Sequence, residues 1–108
     1  MTLASAAAED VVTALADPTR RLPLDRLSAH GETTATVLAR ELPVTRQAVV
    51  KHLVVLEQAG LVTGHRDGRE RRFTIRPEQL AATADWMNQV AARWTTRLAA
   101  IKRLAEDR

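Results

Sequence analysis

The stretch TRQAVVKHLVVLEQAGLV, residues 45–62, carries the main structural signal of this 108-residue chain. Thr45 has the side chain of a good helix N-cap, and Gly60 can take the positive φ that ends a helix. The apolar residues between them recur at helical spacing: Val49, Leu53 and Leu56. The stretch therefore predicts a helix over 46–59 with one buried face, one polar face and a Schellman-type ending.

The residues that follow change period and predict a two-stranded ribbon. Two extended runs, 61–66 and 69–75, flank Asp67-Gly68. Asp-Gly between extended runs favours a type I′ turn, because both central residues then take positive φ. A two-residue loop here would pair Val62 with Phe73, with the apolar base of the ribbon inward and its Arg-rich tip in solvent.

A second helix is predicted just before the first. Thr34 can cap a helix over 35–41, and Pro43 breaks the chain before Arg46. A short helix, a short break and a longer helix form a helix-turn-helix.

Two more helices are predicted upstream, over 5–16 and 18–29. Asp17 and Pro18 suit the cap and the first position of the second of them. Pro23 falls beyond the first turn, where proline removes a backbone hydrogen bond. It either kinks this helix or marks its start, and we expect the kink.

The longest predicted helix runs over 77–105 and carries a sustained apolar stripe. At 1.5 Å per residue it is about 43 Å long, more than a compact domain of this size needs. The excess predicts packing against a second copy, with internal packing as the alternative for part of the helix. The predicted dimer interface comprises Val11, Leu15, Trp86, Met87, Val90, Trp94, Leu98 and Ile101.

Composition places the chain among ordinary globular proteins, with 45% hydrophobic and 27% charged residues. Cysteine is absent, which excludes disulfides, thiolate metal sites and cysteine nucleophiles. Three His and two Ser form no nucleophile–base arrangement, so we expect neither an enzyme nor a cofactor. No apolar run is long enough for a bilayer and no targeting signal is recognisable. We therefore expect a cytoplasmic protein without a membrane partner.

Positive charge is concentrated beside the helix-turn-helix. Residues 61–76 hold five Arg against two acidic residues. A helix-turn-helix followed by a basic ribbon is the order of a winged helix-turn-helix, so the predicted fold is mainly α with a small β-hairpin. One helix fits the major groove of DNA, about 12 Å wide, and a basic ribbon can reach the adjacent backbone. Double-stranded DNA is thus the expected partner.

The exposed side of helix 46–59 predicts the groups that read DNA. Arg and Gln can bond base edges, Lys can contact phosphate, and Val can contact a thymine methyl group. These residues are Arg46, Gln47, Val50 and Lys51. For His52, a partly buried, hydrogen-bonded position is favoured over base reading.

The ribbon is expected to supply at least two phosphate contacts. The candidates are Arg66, Arg69, Arg71 and Arg72. The alternative is that these charges only protect a hairpin edge from aggregation.

Three segments in this order resemble the ArsR/SmtB-type bacterial transcriptional repressors: LADPTRR (15–21), TRQAVVKHLVVLEQAGLV (45–62) and RDGRERRFTI (66–75). The resemblance covers roughly residues 11–104 and implies a homodimeric winged helix protein that releases operator DNA when an effector binds. It places the following residues in the recognition helix: Thr45, Arg46, Gln47, Val50, Lys51 and His52. It places residues 66–69 at the wing tip.

The chain departs from the family pattern in its metal ligands and in one reading position. Metal-sensing members carry Cys in the helix that here reads TATVLARELP (34–43), and another family site uses His on the C-terminal helix, which has none here. We therefore expect no metal site, as in members whose C-terminal helix carries two Trp, like Trp86 and Trp94. Val50 stands where the family often has Ser, so the operator sequences that other members bind cannot be assumed for this chain.

Together these observations predict a single domain over 1–108, with the helix-turn-helix at 34–59, the wing at 61–75 and a dimerisation helix at 77–105. The predicted function is a homodimeric repressor that binds an inverted repeat and does not sense metal; any effector is expected to be a small molecule. The alternative is a winged-helix module that binds only proteins. Such a module would need neither a basic wing nor a polar helix face.

Overall fold

The computed structural model of the chain describes residues 3–107. Within that range the elements follow in the order α1 (Leu3–Leu15), α2 (Pro18–His30), β1 (Glu32–Thr34), α3 (Ala35–Glu41), α4 (Arg46–Gln58), β2 (Val62–Asp67), β3 (Glu70–Ile75) and α5 (Pro77–Glu106). The five predicted helices are confirmed to within two residues at each end. No helix in this range is both long enough and apolar enough to cross a bilayer.

Side-chain caps fix where three of the helices begin. In each case an oxygen of the residue before the helix accepts a backbone N–H from the first turn, as predicted for all three positions. The bonds are Asp17 Oδ1 from Thr19 N–H (2.9 Å), Thr34 Oγ1 from Val37 N–H (3.2 Å) and Thr45 Oγ1 from Ala48 N–H (3.1 Å).

Helix α2 begins at Pro18 and continues through Pro23, so Pro23 does not mark its start. The ring of Pro23 is fully buried, and this burial offsets part of the hydrogen bond that proline cannot make. A kink at this position stays a prediction.

The end of α4 is the predicted Schellman motif. Gly60 has a φ of +81°, its N–H donates to the Glu57 carbonyl at 3.0 Å, and Leu61 N–H donates to the Leu56 carbonyl at 2.9 Å. The motif turns the chain directly from α4 into β2.

The sheet has three antiparallel strands in the order β1-β3-β2. Strand β1 was not predicted, because its three residues, Glu32 to Thr34, are too few to show an alternating pattern and end in the α3 cap. Thr33 and Thr34 are buried where β1 pairs with β3.

The predicted hairpin register is wrong by two residues. Val62 pairs with Ile75 and Gly64 with Phe73, so the loop consists of Gly68 and Arg69 rather than Asp67 and Gly68. Among Asp67, Gly68 and Arg69, only Gly68 has a positive φ, at +63°. A turn with Gly at its first central position needs positive φ only once, as in type II′, whereas the predicted type I′ turn needs it twice.

The core lies between α1–α4 and the base of the sheet. Each of these helices contributes fully buried side chains to it: Val11, Leu27, Leu38, Val49, Leu53 and Leu56. Val62 and Phe73 close the core from the sheet side, with the inward orientation that the sequence predicted.

Helix α5 packs against α1 and then projects from the body. The molecule measures 70 × 27 × 21 Å, and its radius of gyration of 18.8 Å far exceeds the roughly 13 Å of a compact chain of this length. In the part of α5 from 91 to 106, no residue is buried and only Ala100 is half-buried.

Candidate DNA-binding surface

Helix α4 separates a buried face from a polar face as predicted. Val49, Leu53 and Leu56 are fully buried. The predicted reading residues are all exposed: Thr45, Arg46, Gln47, Val50 and Lys51. The recognition helix is therefore held by its apolar face and open along the other.

His52 is half-buried, as predicted, between these two faces of α4. The predicted hydrogen bond is not found: within residues 3–107 no partner lies within bonding distance of its ring. Val54, which was not among the predicted site residues, is 43% exposed one turn after Val50. Its i, i+4 spacing from Val50 is the signal that could have found it.

Arg46 is oriented by the neighbouring helix. Its Nε donates to Thr36 Oγ1 at 3.1 Å, which links the start of α4 to the first turn of α3. The bond leaves the terminal nitrogens of the guanidinium without a partner in the described part of the chain. Thr36 is a functional candidate that sequence reasoning missed.

A groove of about 360 Å³ runs between α4 and the wing. It brings together residues that are far apart in sequence, from α3, α4, the hairpin turn and β3. Its lining includes Thr36, Arg46, Val50, Val54, Arg69 and Arg71. Four of the predicted residues thus share one concave surface: Arg46, Val50, Arg69 and Arg71. The others lie outside its lining: Thr45, Gln47, Lys51, His52, Arg66 and Arg72.

The wing arginines divide into two groups. Arg66 and Arg69 lie near the tip, are exposed, and take part in no ion pair among residues 3–107. Arg71 pairs with Glu57 at 2.8 Å, and Arg72 pairs with Glu32 at 2.9 Å. Counting charges along the sequence therefore overstates how many wing cations are free.

A cluster of charged side chains joins α2 to the far end of α3. Glu41 accepts hydrogen bonds from His30 Nε2 at 2.6 Å and from Arg26 Nη2 at 3.1 Å. The hydrogen bond from His30, together with the hydrogen bond and charge of Arg26, lowers the pKa of Glu41 below its usual value. His30, the last residue of α2, thus has a specific partner at the end of α3.

The predicted dimer residues fall into three classes. Val11 is fully buried in the core of the protomer, so it offers no surface to a second copy. Leu15, Trp86 and Val90 are half-buried. The remaining four are more than half exposed: Met87, Trp94, Leu98 and Ile101.

The exposed apolar stripe on α5 extends beyond the predicted interface residues, because Leu80 and Leu104 are exposed at its two ends. Val12 of α1 is also exposed beside it, and an apolar hollow between α1 and α5 includes Val12, Leu80 and Met87. Among residues 3–107 no group of three or more His, Asp or Glu side chains is arranged to hold a metal ion.

Comparisons with known proteins agree with this arrangement. A family profile described as a helix-turn-helix domain matches residues 15–65. The HTH-type transcriptional regulator Rv2034 of Mycobacterium tuberculosis is 41% identical over 94 residues, which cover 87% of this chain and 84% of the relative. The transcriptional repressor SdpR of Bacillus subtilis is 32% identical over 78 residues, covering 72% of this chain and 86% of SdpR.

Solved structures match over most of the chain. An ArsR-like transcriptional regulator from Rhodococcus sp. RHA1 superposes with a TM-score of 0.83 at 40% identity, covering 94% of both chains. The homodimeric winged helix-turn-helix DNA-binding domain Mb0332 of Mycobacterium bovis, described as a possible ArsR-family regulator, superposes with a TM-score of 0.64 at 27% identity, covering 86% of this chain and 88% of Mb0332. The chain therefore belongs to the ArsR family of winged helix-turn-helix transcriptional regulators.

Proposed function

We propose that the protein is a homodimeric repressor that binds an inverted-repeat operator and does not sense metal. The observation that carries the proposal is the groove between α4 and the wing, in which the open guanidinium of Arg46 and the unpaired wing-tip Arg69 lie on one surface. A surface built only for protein contacts would not need unpaired cations at this place.

The exposed residues of α4 suit the major groove. Arg46 and Gln47 can form bidentate hydrogen bonds with guanine and adenine edges, and Lys51 can neutralise a phosphate. Val50 and Val54 present methyl groups one turn apart to thymine methyl groups. Because Thr36 already holds Arg46, less side-chain entropy is lost when Arg46 meets a base.

The wing tip suits the DNA backbone. Arg66 and Arg69 carry charges that no acidic residue of the described chain neutralises, so they are the wing cations free to displace counterions from phosphates. Contacts of this kind strengthen binding to all sequences and set the position of the protein on the duplex.

The apolar stripe of α5 supports a homodimer. A helix that projects from its body with Trp94 and Leu98 about two-thirds exposed is not stabilised by its own protomer. A second copy packed on this stripe would cover it, as the homodimeric state of Mb0332 also suggests. Two-fold pairing would set the two α4 helices about 34–36 Å apart, one turn of B-DNA, and this spacing requires an inverted repeat.

Repression and the lack of metal sensing rest on simpler grounds. A dimer bound across two major grooves would exclude polymerase from the same DNA, and a relative bears the name of a repressor. The chain has no cysteine to serve as a thiolate ligand.

Selection of bound fragments from a random DNA pool tests the proposal. We expect enrichment of a palindrome with half-sites about 10 base pairs apart, centre to centre. A pool that stays random although the protein binds DNA would contradict sequence-specific recognition. A protein that retains no duplex, even in dilute buffer, would contradict DNA binding altogether.

Replacing Arg46 with Ala is expected to relax base choice at one position of each half-site, with a loss of about 1–3 kcal/mol of discrimination. Fluorescence anisotropy with the selected duplex and its single-base variants measures this loss. Arg40→Ala removes an exposed arginine from α3 outside the groove, so it serves as a control for charge and should leave discrimination unchanged. Unchanged base preference in Arg46→Ala would show that Arg46 does not read a base.

A further inference from the structure

We propose that Glu57 and Arg71 form a latch that fixes the angle of the wing relative to α4, and that Arg71 is a positioning residue instead of a phosphate ligand. The proposal rests on the DNA-binding function proposed above, because the angle of the wing matters only if the wing meets DNA. It also revises the role that the sequence predicted for Arg71.

A single carboxylate oxygen in the last turn of α4 holds both strands of the wing. Glu57 Oε2 accepts the backbone N–H of Gly64 in β2 at 3.1 Å and Nη2 of Arg71 in β3 at 2.8 Å. The backbone of Glu57 is itself fixed, since its carbonyl accepts Gly60 N–H in the Schellman motif. The latch therefore connects a rigid point of the recognition helix to the ribbon.

Packing holds Arg71 in this position. Its guanidinium carbon lies 5.3 Å from the centre of the Phe73 ring, within the range of a cation–π contact. Gly64 makes room for it: a Cβ added there would lie 2.8 Å from Phe73 Cε1 and 2.9 Å from Arg71 Nε. Since Phe73 belongs to the buried core, the missing side chain at Gly64 leaves the space in which Arg71 lies over its ring.

The two roles of Arg71 predict opposite effects when Glu57 is removed. If Arg71 were a phosphate ligand restrained by Glu57, Glu57→Ala would free a cation and strengthen DNA binding. If the pair is a latch, Glu57→Ala loosens the wing and weakens binding, although the protein becomes more positive. The sign of the change therefore decides between the roles.

The test compares Glu57→Ala, Arg71→Ala and the double variant on the duplex recovered by selection. We expect each single variant to weaken binding about two- to fivefold, and the double variant to weaken it no further than either alone. The slope of log affinity against log salt should stay at the wild-type value in Arg71→Ala. In the control Arg69→Ala, which removes one unpaired cation from the tip of each protomer, the slope should fall by about two for the dimer. Stronger binding by Glu57→Ala, additive losses, or a reduced salt slope in Arg71→Ala would overturn the latch.

Hydrogen exchange of the Gly64 amide tests the latch without DNA. Glu57→Ala removes the acceptor of this N–H, so its exchange should rise several-fold, whereas Glu70→Ala, which alters a charge elsewhere in the wing, should leave it unchanged. Unchanged exchange in Glu57→Ala would refute the latch even if the protein binds DNA as proposed. Failure of the wild type to bind any duplex would refute the proposed function and leave the exchange result standing.

Discussion

Replacing Leu98 with Glu is expected to convert the protein into a monomer and to lower its affinity for the selected operator by about 100-fold or more. Leu98 is 65% exposed on α5, so the substitution leaves the core of the protomer intact. In the proposed dimer the new carboxylate would be buried against apolar side chains, and burial of an unpaired charge is costly. A monomer also loses the second half-site, and linked sites commonly contribute a factor of about 10²–10⁴.

Sedimentation velocity measures the oligomeric state, and anisotropy measures operator affinity. Thr96→Glu is the matched control, because it places the same charge on the opposite side of α5 within two residues and should leave the dimer intact. Trp94→Ala is a milder change in the same proposed interface. It should weaken dimerisation by about 2 kcal/mol, as expected for an aromatic side chain central to an interface. A Leu98→Glu protein that remains dimeric would show that the stripe on α5 is not the interface.

Local signals in the sequence were enough to predict the helices and the ends of several of them. The caps at Asp17, Thr34 and Thr45 depend on residues two or three positions away, and the Schellman ending at Gly60 depends on its own turn. Interactions of this range depend only on neighbouring residues, so the helix-turn-helix could be predicted from the sequence.

The pairing of the strands could not be predicted from a short stretch of sequence, because it joins residues that are far apart in the chain. Strand β1 exists because Thr33 meets Phe73, forty residues away, and its three residues have no pattern of their own. The hairpin register depends on a choice between two overlapping turns that share Gly68, and the structure adopts the one that keeps Asp67 out of positive φ. Pairing across the sheet decides both features.

The hydrogen-bond and ion-pair partners of the charged side chains could not be predicted from the sequence either. The residue types at positions 46 and 71 predict DNA contacts in the same way, yet Arg46 is held by Thr36 with its terminal nitrogens open, while Arg71 is held by Glu57. The side of α1 that faces the core was also ambiguous, since Val11 is fully buried and Val12 is 43% exposed. Neighbouring valines in a short helix differ only in which element packs against them.

Replacing Leu53 with Ala is expected to lower the free energy of unfolding by about 2–5 kcal/mol. Leu53 is fully buried in the middle of α4, where it packs into the cluster that joins the recognition helix to the other helices and the sheet. Truncation removes apolar contacts and leaves a cavity that rigid neighbours fill only in part. A domain of this size is stable by about 5–15 kcal/mol, so the loss is a large share of the total.

Urea denaturation at a fixed protomer concentration measures this loss, because dimerisation links stability to concentration. Val54→Ala is the matched control: it shortens the next side chain of the same helix, which is partly exposed, and Ala is the better helix former, so the change should stay within about 0.5 kcal/mol. The folded fraction of Leu53→Ala should still prefer the selected operator, since the residue supports α4 from beneath without facing DNA. A loss below about 1 kcal/mol would mean that α4 is not anchored through its buried face, and the fixed presentation of Arg46 and Gln47 would then need another cause.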